Sequence, residues 1–348
     1  MRHFTRAIHG IFICLFLISG CTKQKDFDQM MTDLFATKKE VTILVTDSGL
    51  GGLSVAADLA SRLPESGVFK NARIVFFNSL FHNRSGYNSL KSEEEKIRIF
   101  NTALKAMAKK YQPDLLLIAC NTLSVIYDRT PFSQRAKFPV IGIVETGVDE
   151  IAREFDRQPD AKAIIFATVT TIAANSHKYQ LIEQGYPPNQ IIGQACHRLA
   201  GSIERGYDSE ETIKYIEQFV SEALSQIESA NWRTGAPIFA SLNCTHYGYS
   251  IQQFKNVFAA AGYPGIVIID PNPKMADFLF EPSKLHRFPE THITVEIVSK
   301  TEITPDKMAS LGSLLEMTSL QTADALYNYQ FDPELFDAKF DSSTIESN

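Results

Sequence analysis

The chain has 348 residues, 44 % of them hydrophobic, with 34 basic groups against 40 acidic ones. That acidic balance argues against nucleic acid as a partner, because a phosphate backbone is met by a basic surface. Five cysteines, an odd number, do not describe a disulfide framework, and free thiols are expected.

The first twenty residues stand apart from any fold. Arg2 and Arg6 precede an apolar stretch from Ile11 to Ile18, followed by Ser19-Gly20-Cys21. The stretch is too short for a comfortable membrane span and has the basic, apolar, small-residue order of a secretory signal. Leu17-Ile18-Ser19-Gly20-Cys21 also resembles a bacterial lipoprotein signal, which implies cleavage before Cys21 and lipidation of its thiol; an ordinary cleaved signal is the alternative. Acyl chains contribute roughly 0.8 kcal/mol per buried methylene, so several on one residue would hold the protein on a membrane without spanning it. Thr22 is not the Asp that often retains such proteins at an inner membrane. The expected location is therefore exported and lipid-anchored, at the periplasmic face of an outer membrane. Removing residues 1–20 takes away two Arg and no acid, leaving 32 basic and 40 acidic groups. Residues 21–40 read as a polar tether and residues 316–348 as a polar C-terminal tail. The roughly 275 residues between them suffice for one large or two medium domains.

In chain order, strand-like apolar runs alternate with segments of helical spacing. Val41–Thr46 precedes a helix from Gly52 to Leu63; Arg73–Phe77 precedes one from Lys91 to Tyr111. Leu115–Ala119 and Val140–Val144 are the next strands, and Gly147–Phe155 the next helix. Ala163–Ala167 leads to helices from Ser176 to Gln184 and Glu210 to Ser229. Ile238–Leu242, a helix from Ile251 to Ala261 and Ile266–Ile269 complete the pattern. Repeated strand, helix, strand order means a mainly parallel α/β sheet, with ligands at the carboxyl ends of strands.

Four such ends carry polar, chemically capable residues. Val45-Thr46 runs into Asp47-Ser-Gly-Leu-Gly-Gly-Leu-Ser54, and the third strand into Cys120-Asn121-Thr122. Ala167 runs into Thr168-Val-Thr-Thr171, and Leu242 into Asn243-Cys244-Thr245-His246-Tyr247. Taken alone, Cys120-Asn121-Thr122 reads as well as a capped turn after a core strand. The near-equal intervals from Asp47 to Cys120 and from Thr168 to Cys244 suggest an internal duplication with a site between the halves. Asp47–Ser54 is neither of the usual phosphate loops, since no Lys follows and Asp47 would oppose a phosphate. It suits a small carboxylate or ammonium ligand better. Metal ligation is disfavoured, because two single Cys with one nearby His lack the paired spacing of zinc sites. Two thiols in opposed halves suit proton transfer at carbon, in which one removes a proton while the other delivers one to the opposite face.

Four motifs in order, Asp47-Ser-Gly-Leu-Gly-Gly-Leu-Ser54, Ala119-Cys-Asn-Thr122, Val140-Ile-Gly-Ile-Val-Glu145 and Cys244-Thr-His-Tyr247, resemble those of cofactor-independent glutamate racemases of the aspartate/glutamate racemase superfamily. The resemblance covers residues 41–315. It implies two similar domains, 41–142 with 268–315 and 143–267, with the active site in the cleft between them. Cys120 and Cys244 would be the acid/base thiols, Cys120 acting on the D-enantiomer and Cys244 on the L-enantiomer. Asp47 would assist the first and His246 the second. Ser48, Tyr87, Asn121, Thr122, Thr171 and Thr245 would hold the amino acid. Neither pyridoxal phosphate nor a metal is expected. The partners are a small amino acid and, through Cys21, a membrane; a homodimer is left open. The family supplies D-glutamate for cell-wall precursors, whereas an exported copy would act on external or wall-derived amino acids.

The departures bear on the substrate. Phe77-Asn78-Ser79 replaces Gly-Asp-Thr, and His82-Asn83-Arg84 lengthens the loop before Gly86-Tyr87-Asn88, where the family has Pro-Tyr-Gly. Arg84 is read as a solvated loop charge, Cys196 as packing, and Glu145-Thr146 as a tolerated change from Glu-Pro. Aspartate or another amino acid is the neighbouring substrate. A binding lipoprotein without turnover and a cysteine hydrolase are the competing functions.

Overall fold

The computed structural model describes residues 25–229 and 237–340. The lipidation expected at Cys21 falls outside the described residues. A helix over residues 25–37 (α1) leads into β1 (Glu40–Asp47), α2 (Leu53–Ser66), β2 (Asn71–Asn78), α3 (Glu93–Tyr111), β3 (Leu115–Ile118), α4 (Asn121–Tyr127) and β4 (Val140–Gly142). A second run comprises α5 (Ile143–Arg157), β5 (Lys162–Ala167), α6 (Val169–Ala174), α7 (Ser176–Glu183), β6 (Ile191–Ala195), α8 (Leu199–Arg205), α9 (Glu210–Ser229), β7 (Ile238–Asn243), α10 (Ile251–Ala260) and β8 (Val267–Ile269). The chain closes with β9 (His292–Ser299), α11 (Pro305–Glu316), α12 (Leu320–Tyr327) and β10 (Gln330–Phe331).

These strands form two all-parallel sheets, one ordered β10-β9-β2-β1-β3-β4 and the other β6-β5-β7-β8. Helices cover both faces of each, with a separate apolar cluster on every face. The sheets repeat one another where it matters. In the first, the chain winds outward from β1 to β2 and then resumes on the other side at β3. In the second, it winds from β5 to β6 and resumes at β7. Each pair, β1/β3 and β5/β7, is therefore a topological switch point, where the crevice past the strand ends is open to a ligand. Register places Thr46 beside Ile118 and Ala167 beside Asn243. Asp47 and Cys120 thus leave the first sheet together, as Thr168 and Cys244 leave the second.

Local chemistry accounts for the elements that carry these ends. β1 and β3 are buried almost throughout, as parallel strands between helical layers must be. Ser92 caps α3 by accepting from Glu95 N, with Glu93, Glu94 and Glu95 in its first turn and Lys109 and Lys110 in its last, the arrangement that complements the helix dipole. Gly67 ends α2 at φ +58°, and a Cβ there would lie 2.0 Å from the Phe288 carbonyl oxygen.

Three expectations are corrected. Val140–Val144 is not one strand: β4 stops at Gly142 and Ile143 opens α5, because Ile143, Val144, Gly147, Val148 and Ile151 form a helical buried face. Residues 25–40 are not simply a tether, since Leu34 is buried in the first core and Phe35 stacks on Phe69. Nor are residues 316–340 only a polar tail: Leu326, Leu335 and Phe336 are buried against the first sheet. In all three, sparse apolar residues find partners distant in sequence, which local periodicity does not register.

Candidate active site

The four strand ends enclose a cleft of about 500 Å³ between the two sheets. From the first domain, Asp47, Ser48, Cys120, Asn121 and Thr122 line its floor, and residues 80–89 form one wall. From the second come Thr168, residues 196–205 and Cys244 to His246. Cys120 and Cys244 are each 5 % exposed and unpaired in disulfides.

Around Cys120 the contacts are with hydroxyls and a carboxylate. Its Sγ lies 3.1 Å from Ser48 Oγ, and Ser48 in turn approaches Asp47 Oδ1 at 3.5 Å. Burial and the Asp47 charge push the Cys120 thiol well above its ordinary pKa, against the opposing hydrogen bond from Ser48. Its own surroundings therefore favour the neutral thiol at Cys120. Tyr87 is 1 % exposed, its hydroxyl has no partner among the described residues, and burial, with a smaller contribution from the neighbouring Cys120, raises its pKa well above the ordinary value.

Around Cys244 the setting is ionic. His246 Nδ1 is 3.8 Å from the thiol sulfur, and His246 Nε2 donates to Glu204 Oε1 at 2.8 Å. Leu50 N donates to the same oxygen at 2.8 Å, and Lys307 Nζ to Glu204 Oε2 at 2.6 Å. Burial would lower the His246 pKa, but its bonds to Cys244 and Glu204 outweigh burial and hold it well above the usual value. Burial would likewise raise Glu204, yet His246 and Lys307 keep it below the ordinary carboxylate range. One wall of the cleft therefore carries an ionised carboxylate–imidazole pair beside its thiol, while the other carries a neutral thiol.

The remaining expected residues divide into those facing the cleft and one behind it. Asn121 is 2 % exposed, and neither end of its amide has a partner among the described residues, so both can serve a ligand. Thr122 Oγ1 meets Thr168 Oγ1 at 2.8 Å across the cleft, and Thr245 Oγ1 donates to Asp47 Oδ2 at 2.6 Å. Thr168, not Thr171, borders the space; Thr171 sits behind it at 3.0 Å, with the Thr168 side chain capping α6. Arg84 is exposed at the mouth. Cys196 is 2 % exposed and donates to the Gln194 carbonyl at 3.6 Å, a packed thiol at the cleft edge. Sequence reasoning missed Glu204 and Lys307. Glu204 had one faint signal, an acid beside Ile203 on the same short helix as buried Leu199; Lys307 had none.

No family model matches the chain. A glutamate racemase of Lysinibacillus sphaericus strain C3-41 is 25 % identical over 213 residues, 61 % of this chain and 72 % of that protein. One from Lactobacillus acidophilus is 27 % identical over 235 residues, 67 % of this chain and 78 % of its own. This chain is an isomerase of the amino-acid racemase class. Among solved structures, a glutamate racemase of Bacillus anthracis superposes with a TM-score of 0.60 at 21 % identity, over 84 % of this chain and 96 % of that one. At that identity the likeness establishes the enzyme's two-domain α/β fold.

Proposed function

We propose that the enzyme interconverts L- and D-glutamate without a cofactor, by proton transfer at the α carbon between Cys120 and Cys244. The observation that carries this reading is two buried thiols on opposite domains, lining one cleft, each with its own polar helper. One thiolate takes the α-proton, breaking C–H and forming S–H; the opposite thiol gives its proton to the other face of the planar carbanion. Negative charge developing toward the α-carboxylate needs donors already in place, and the unpartnered Asn121 amide with Thr122 and Thr168 supplies them. A thiolate at Cys120, beside the Asp47 charge, needs a cation, and the substrate's own ammonium provides it. At Cys244 the His246 imidazolium serves instead. Glutamate is favoured because the named relatives are glutamate racemases and one solved neighbour, from Francisella tularensis, is in complex with D-glutamate. The lengthened loop around Arg84 makes aspartate or another acidic amino acid the second reading.

The test is α-proton exchange in heavy water with each enantiomer of glutamate and aspartate under reducing conditions. Exchange followed by inversion is expected, and its absence with every amino acid would leave a binding protein. Cys120→Ser is expected to abolish proton washout from the D-enantiomer while sparing the L-enantiomer, and Cys244→Ser the reverse; equal losses would sink the two-base assignment. We infer from residues 1–21 an exported, lipid-anchored form. Mass spectrometry of the N-terminal peptide should find acyl chains on Cys21, and an unmodified Met1 would refute it.

A further inference from the structure

Lys307 stands in the first turn of α11, in the segment that returns the chain to the first domain. Its ammonium reaches across the domain boundary to Glu204 on α8, at 2.6 Å. Glu204 uses its other oxygen for His246 and Leu50 N, and His246 faces Cys244. Ammonium, carboxylate, imidazole and thiol therefore stand in a row, three of them nearly buried. Of the other charges lining the cleft, Asp47 is held by Thr245 and Arg205 by Glu211, while Arg84 and Arg198 are exposed.

We propose that Lys307 is a positioning residue of the Cys244 half-site, balancing Glu204 so that the imidazolium–thiolate form of His246 and Cys244 is electrically closed when an anionic amino acid arrives. The inference rests on the racemase reading above. A buried carboxylate is costly to ionise unless it is paired on every side. With Lys307 present, the row with a Cys244 thiolate and a His246 imidazolium sums to zero; without it, the row carries one negative charge beside a substrate that is itself negative. At a separation of about 8 Å in a medium of effective dielectric about 20, that repulsion corresponds to roughly thirtyfold in affinity for the anionic transition state. Lys307 also fixes which carboxylate oxygen faces His246, and with it the proton on Nε2 that leaves Nδ1 to exchange with the thiol. At Cys120 the corresponding cation is the substrate's own ammonium, beside the Ser48 hydroxyl and Asp47.

Two readouts on the full-length chain separate this from a packing role. In the first, the carbon-13 resonance of the Glu204 carboxyl, assigned by its loss in Glu204→Gln, is followed against pH. It stays ionised down to the lowest pH at which the wild-type chain is folded. In Lys307→Met it titrates at least one pH unit above that limit, and Lys307→Arg restores the wild-type behaviour. In the second, Lys307→Met loses roughly thirtyfold in kcat/KM for glutamate exchange, with the acid limb of the profile displaced upward by the same interval, and Lys307→Arg recovers most of the rate. A Glu204 carboxyl that also stays ionised over the whole folded range in Lys307→Met, or a rate loss equal at every pH that Lys307→Arg does not repair, overturns the proposal. If the wild-type chain exchanges no amino acid, the racemase reading falls, and the Glu204 titration still decides whether Lys307 governs that carboxylate.

Discussion

At the scale of single residues the two halves of the cleft differ in how they can hold a proton. Cys120 is surrounded by apolar side chains, a serine and an acid, so the neutral thiol is its resting form. Cys244 has an imidazole that a buried carboxylate keeps charged. The substrate's ammonium must therefore activate one side, whereas the protein has built the activator into the other. A different buried histidine shows what happens without such a partner. His177 on α7 is 3 % exposed, its Nε2 has no partner among the described residues, and burial lowers its pKa to about 4. In the unfolded chain it takes up a proton near its ordinary value of 6.5, so acid favours unfolding. The stability it withholds is fully present above pH 6.5 and is lost as pH falls through about 4, amounting to about 3 kcal/mol. Asp270, raised by burial to about 6, acts with the opposite sign over part of the same range. The informative quantity is thus the difference between wild type and His177→Gln in urea unfolding at pH 7 and pH 4.5. The variant should lose less stability than wild type, and parallel losses would refute the account.

At the scale of elements, turns decide where the functional side chains point. β1, β3, β5 and β7 were legible as apolar runs, and their polar ends as candidate sites, because strand and terminus are both local chemistry. Less legible were β6, β9 and β10, whose residues are only partly apolar and become strands by pairing with neighbours already formed. The α2 terminus shows a tight constraint of this kind. Gly67 takes a left-handed conformation, and a Cβ added there would meet the Phe288 carbonyl oxygen. Gly67→Ala combines an unfavourable φ with a clash against backbone, and is expected to lower stability by about 2 to 4 kcal/mol. A shift of the urea midpoint with an unchanged slope would register it; an unchanged midpoint would show that the Phe288 segment yields freely.

For the whole molecule, the closing segment is more than an end. Residues beyond Leu315 add β10 to the edge of the first sheet and α12 to one of its faces, and bury Leu326, Leu335 and Phe336. Each such side chain contributes roughly 1.5 to 3 kcal/mol on burial, against a total stability of about 5 to 15 kcal/mol for a domain. Truncation after Thr318 is therefore expected to leave little folded protein, with Leu326→Ala giving a graded loss in thermal midpoint. A truncated chain that melts with the full-length one would contradict this packing. The sequence by itself determined the α/β class, the two half-chains, both thiols and most of their near neighbours, because each of these is written in residues close together along the chain. Only the tertiary structure decided that Thr168 stands before Thr171, that Glu204 lies behind His246, and that Lys307 completes that pair from the other domain. The last two relations join positions 42 and 103 residues apart, and all of them exist only once the strand ends of two separately wound sheets face one cleft.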